Sequence, residues 1–142
     1  MTFNEHWSQA KKEPTVIDTL DEIVTYIGNV PNQKIHLDYP KGSSKGFGRE
    51  EKLPIPFDYG EYPSLINPAD NLGWDIIIVP SSSKDDRDLI PVGHVQYHNE
   101  PEKEGNDKII VAPKGQYTSE DKDIIGSFFD PIDRFKPVSW YN

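Results

Sequence analysis

At 142 residues the chain is long enough to bury a core as one domain without staples, and with no cysteine it has neither disulfides nor thiolate metal sites. A formal net charge of −9, spread along the sequence, repels polyanions, which sets nucleic acid and anionic membranes aside as general partners. No charged-then-apolar N-terminal signal and no apolar run near the roughly 20 residues of a membrane span appear, so a cytoplasmic protein with no membrane partner is expected.

Thirteen prolines and ten glycines among short apolar runs suggest many turns and a mainly β domain with some helix. Residues 1–13 are a polar lead-in. From Pro14 to Gly28 the apolar residues Val16, Ile17, Leu20, Ile23, Val24 and Ile27 recur at helical spacing, opposite Asp18, Asp21 and Glu22, and predict a helix over 14–28. Lys34 to Pro40 alternates polar and apolar residues as a half-buried strand does. The loop that follows carries Lys41, Lys45 and Arg49 among glycines and serines, a composition suited to an anionic oxygen cluster or simply to solvent.

The central stretch, 58–80, opens on an apparent tight aromatic turn at Asp58-Tyr59-Gly60. Asp70 and Asp75 then fall on a Pro/Gly/Asn-rich loop, ahead of the β-branched run Ile76 to Val79, a buried strand. Acids in such loops commonly bond their own backbone, but two of them at the mouth of a core strand also suit a hard divalent cation. Leu89 to Tyr97 and Lys108 to Pro113 read as strands, and Val92–Tyr97 with Lys108–Ala112, around an acidic loop, predict an antiparallel ribbon. Ser119 to Phe129 predicts a short helix with Ser119 as cap, and 132–142 an extended aromatic tail. His94 on a strand and His98 at a loop start are four apart with no third ligand at zinc-like spacing, and are taken as structural or surface residues. The aromatic tail and Trp7 allow a homo-oligomer surface, although core aromatics are the preferred reading.

Four collinear segments resemble the soluble inorganic pyrophosphatases of the small, barrel type. They are Ile35-His-Leu-Asp38-Tyr-Pro40-Lys-Gly-Ser; Asp58-Tyr59-Gly60 through Asp70-Asn-Leu-Gly-Trp-Asp75 into Ile76–Val79; Pro91-Val-Gly93 through Asn106-Asp-Lys108-Ile-Ile-Val-Ala-Pro113; and Phe128-Phe129 with a later Lys-Pro-Val-x-Trp. The resemblance implies a single domain over 1–142: an OB-like five-stranded barrel over 34–113, with an N-terminal and a short C-terminal helix, hence α+β. It implies Mg²⁺, or Mn²⁺, as cofactor and pyrophosphate or a related phosphoanhydride as substrate.

Carried over by position, the resemblance makes Asp38, Asp70, Asp75, Asn99 and Asn106 metal ligands and Asp70, Asp75 and Tyr59 catalytic. Lys45, Arg49, Tyr59 and Lys108 become phosphate-binding. The departures are as informative. The middle aspartate of the loop is Leu72, two hairpin aspartates are Asn99 and Asn106, and a Tyr-Lys pair becomes Ile132 and Asp133. Asp107, Glu100 or Glu102 would have to supply the lost carboxylates. The expectation is therefore a hydrolase with weakened or altered activity; the alternative is an inactive domain that binds phosphate-type ligands or a protein partner.

Overall fold

In the computed structural model, residues 14–44, 54–82, 88–96, 107–132 and 138–141 are described. They form a mixed α+β fold: an open sheet of seven strands with two helices. The strands are β1 (Thr15–Val16), β2 (His36–Tyr39), β3 (Asp58–Asn67), β4 (Leu72–Ile78), β5 (Leu89–Val95), β6 (Lys108–Pro113) and β7 (Val138–Trp140). The helices are α1 (Leu20–Asn29) and α2 (Ser119–Phe129). The pairing runs β1-β3-β4-β6-β5-β7, with β2 beside β3. Among the described residues no ladder joins the two edges into a ring.

The centre of the sheet is the parallel pair β4 and β6, Ile76 to Ile78 against Ile109 to Val111. Both strands are covered on both faces, which is why they are continuous apolar runs rather than alternating ones. On one face Trp74, Ile76, Ile78, Ile109 and Val111 pack with Tyr62 and with Ile23 and Ile27 of α1. On the other, Ile77, Val79, Ile110 and Ala112 meet Phe57, Phe128 and Phe129, and Phe57 stacks on Phe129 with ring centroids 5.9 Å apart.

Three sequence expectations change here. The N-terminal helix begins at Leu20, not Pro14: Thr19 is extended and its hydroxyl accepts the Glu22 N–H, while Thr15 and Val16 pair with Leu65 and Ile66. The expected turn at Asp58-Tyr59-Gly60 is the start of the longest strand, β3. Pro63, which cannot donate to a ladder, falls in the register shift between Tyr62 and Ile66, so the strand continues past it. Finally, Val138 to Trp140 of the aromatic tail form β7 against β5.

The ribbon of β5 and β6 is antiparallel as expected, Leu89 opposite Pro113. Helix α2 is capped by Thr118, one residue before the expected Ser119, in a reciprocal box with Asp121. Asp121 also accepts from the backbone N–H and hydroxyl of Ser81, at 2.9 and 2.6 Å, tying the end of β4 to the start of α2. The Asn67–Leu72 turn depends on Asn71 at φ 59°, a left-handed position that asparagine tolerates.

Candidate functional site

Strand register assembles the polar end of the sheet. Glu61 of β3 lies opposite Asp75 of β4, Asp75 lies beside Lys108 of β6, and His36 of β2 lies beside Glu61. Directly paired residues share a sheet face, and Tyr59, two residues before Glu61, shares it too. This face therefore has an apolar half, Ile77 and Ile110, and a charged half at the strand ends.

At its centre Lys108 Nζ contacts Asp75 Oδ2 at 2.7 Å, with the lysine side chain 4% exposed and the aspartate 23%. The same ammonium lies 5.5 Å from the Tyr59 ring centroid. Tyr59 is itself buried and shares a side-chain hydrogen bond with Asp75; burial first, then the charge and hydrogen bond of Asp75, then Asp38, hold its hydroxyl well above its ordinary pKa. That hydroxyl is a committed donor.

The surrounding carboxylates feel each other. Burial raises Glu61 above the usual glutamate range, and Asp38 and Asp75 add to it, against the Gly73 N–H and His36. Asp70 is also raised, mainly by burial, with Asp75 raising it further and Lys108 and the Leu72 N–H opposing. Asp38, Glu61, Asp70, Asp75, Tyr59 and Lys108 thus occupy one electrostatic neighbourhood. Asp70 in addition performs ordinary turn work, its Oδ1 accepting the Leu72 N–H at 3.0 Å.

Two glycines make the strands' close approach feasible. A Cβ at Gly60 would lie 2.2 Å from the His36 carbonyl oxygen, and one at Gly73 would lie 2.6 Å from Glu61 Oε2. Any other residue would push against β2 at Gly60, and against the Tyr62 carbonyl of β3 and the Glu61 carboxylate at Gly73.

Asp75 is not on the loop expected from sequence but inside β4, where its neighbours fix its direction. Leu72, where the resemblance places an acid, is 61% exposed, and Ile132 is buried in the core. Asp107 is buried next to Lys108 in sequence. Lys45, Arg49, Asn99, Glu100, Glu102, Asn106 and Asp133 lie outside the described residues. His94 Nδ1 is 2.6 Å from the Tyr141 hydroxyl, consistent with a structural role, while His98 lies outside the described residues.

Sequence reasoning missed Glu61 and His36. The signal was available in the spacing: with 58–67 taken as a strand, Glu61 shares a face with Tyr59, and His36 stands two residues from Asp38.

Carboxylates are the donors a hard divalent cation takes, although among the described residues Asp70 and Asp75 do not join Asp38 in a three-ligand group. Mg²⁺ takes one or two carboxylates and completes its shell with water and phosphate oxygens. Here Glu61 and Asp70 are raised in part by neighbouring carboxylates, a repulsion that a cation would relieve. Among the described helices none is long and apolar enough to cross a membrane. No model of a known protein family matches the chain, and no curated protein matches it.

Proposed function

We propose that the chain hydrolyses inorganic pyrophosphate or a related phosphoanhydride with the help of a divalent metal ion, Mg²⁺ or Mn²⁺. The observation that carries this reading is the Asp75–Lys108–Tyr59 set at the strand ends, with Asp38, Glu61 and Asp70 in its field. Five strands, β2 to β6, fall within residues 34–113, as a small OB-like barrel requires, with β1 and β7 as additions at the edges.

Asp75 orients the two groups that meet substrate. It fixes Lys108 by a short ion pair, and the ammonium keeps further hydrogens for phosphoryl oxygens. The Tyr59 hydroxyl, kept protonated by burial first and by Asp75 next, would turn its one proton from Asp75 to a phosphoryl oxygen once that carboxylate is engaged on a metal. Lys45 and Arg49, which lie outside the described residues, are the further cations that the resemblance gives to the phosphates. Asp70 and Asp75 would hold the metal; Asp38, the third carboxylate that the resemblance assigns to it, groups with His36 and Glu61 instead, and Asn99 and Asn106 lie outside the described residues. When bound, the metal neutralises the phosphoryl charge and acidifies a water. With leucine at position 72 one ligand is lost, and a lost charge-stabilising contact costs about 3 kcal/mol of barrier, or roughly a hundredfold in rate, so turnover is slow.

Phosphate release from pyrophosphate by the purified chain in Mg²⁺ or Mn²⁺ tests the reading. Slow, metal-dependent release that falls by about a hundredfold in Asp75→Asn is the expected result. No release from pyrophosphate or other phosphoanhydrides overturns it.

The exposure of Leu72 favours a second reading, a phosphate-binding domain without turnover. Its signature is a thermal shift with pyrophosphate and Mg²⁺ in the absence of hydrolysis.

A further inference from the structure

Beside the Asp75–Lys108 pair, β2 and β3 bring a different donor set together. Ligand atoms of His36, Asp38 and Glu61 all lie within 4.8 Å of one another. His36 and Asp38 come from one strand at a spacing of two, and Glu61 is the cross-strand neighbour of His36. Gly60 is what permits it, since a side chain there would strike the His36 carbonyl. Gly73 likewise leaves the space against which the Glu61 carboxylate lies.

We propose that His36, Asp38 and Glu61 bind one borderline divalent metal ion of the zinc class. One imidazole with two carboxylates is a mixed N/O set. Mg²⁺ has little use for an imidazole, whereas Zn²⁺ and its neighbours in the first transition row bind it well. Bonds of about 2.0–2.2 Å to nitrogen and oxygen require the donors to close to roughly 4 Å or less. The side chains can make that adjustment: His36 is 65% exposed and Asp38 30%. Without metal, His36 Nδ1 and Asp38 Oδ1 share a hydrogen bond at 2.9 Å, and the ion takes the place of that hydrogen.

Charge bookkeeping separates the triad from a plain surface ion pair. A single imidazole faces two carboxylates, so the triad carries one more negative group than a His–Asp pair does. The proposal rests on the preceding functional reading only for what the metal would do, not for whether it binds.

Calorimetric titration of the metal-stripped full chain with ZnCl₂ and separately with MgCl₂ tests it. The wild type is expected to bind Zn²⁺ at least tenfold more tightly than Mg²⁺. His36→Gln, at an exposed position, should lower Zn²⁺ affinity tenfold or more while leaving Mg²⁺ affinity as it was, and Asp38→Asn should lower Zn²⁺ affinity as well. Equal Zn²⁺ affinity in wild type and His36→Gln, or no preference over Mg²⁺ in the wild type, overturns the proposal. Because the readout is binding, a chain that fails to hydrolyse pyrophosphate leaves this result unaffected.

Discussion

The two faces of the β4/β6 pair make an instructive contrast. Under α1, Trp74, Ile76, Ile78, Ile109 and Val111 form an apolar face, and the Trp74 Nε1 donates to the Ile17 carbonyl at 3.0 Å. On the opposite face the apolar lining stops at Ile77 and Ile110, and the next residues toward the strand ends are Asp75 and Lys108. The same strands, in the same register, serve packing on one side and charge on the other. Burial stabilises the first; the second holds carboxylates close enough to raise one another.

If that contrast is right, the largest effect should come from stranding a charge. Lys108→Met leaves Asp75 without its ammonium in a half-buried position and is expected to lower unfolding free energy by about 3 kcal/mol in urea titration. The double variant Lys108→Met/Asp75→Asn should recover much of that loss, because the Asp75 charge is removed along with its ammonium partner. Next comes the packing face: Trp74→Phe removes volume and the Ile17 partner, at a cost of about 2 kcal/mol by the same titration. It should leave phosphate release per folded molecule unchanged.

Smaller effects sharpen the comparison through pH. Glu61 is raised in the fold, so the folded state binds its proton more tightly than the unfolded chain does. Stability is then greatest at low pH and is lost as pH rises from the ordinary glutamate value through the raised one. Metal-free Glu61→Gln should therefore be more stable than the wild type at neutral pH and level with it in acid, as judged by melting temperature.

Asp121 has the opposite sign. Burial works to raise it, but hydrogen bonds from Ser81 and Thr118 prevail and hold it below the usual range. Its contribution is present above the unfolded value and lost as pH falls through the folded one, so Asp121→Asn should flatten the acid limb of the stability curve.

Leu72→Asp is the gentlest change. At so exposed a position it should alter stability by no more than about 0.5 kcal/mol. Beside Asp70, it should tighten Mg²⁺ binding and raise phosphate release.

Much of the fold was legible because local and tertiary preferences agree. Lys108 to Pro113 is an apolar run closed by proline, and it is a strand; Ser119 to Phe129 has acids in its first turn and an apolar side, and it is a helix. Where the two diverge, the sequence misleads. The helical spacing from Val16 onward was outweighed by the Thr19 cap and by pairing of Thr15 and Val16 with β3. Gly60 and Pro63 look like turn residues, yet both belong to β3, one admitting β2 at close range and the other occupying a register shift. That single misreading hid Glu61, since a residue in a turn has no defined face.

The most direct measurement is a crystal structure of the chain grown with Mg²⁺ and pyrophosphate. The account predicts metal density against Asp75 and Asp70, with Lys108 and Tyr59 donating to phosphoryl oxygens. Pyrophosphate bound elsewhere, for instance in the open cleft lined by Ser81, Gln116 and Thr118, with the Asp75–Lys108 pair untouched by metal or phosphate, would contradict it.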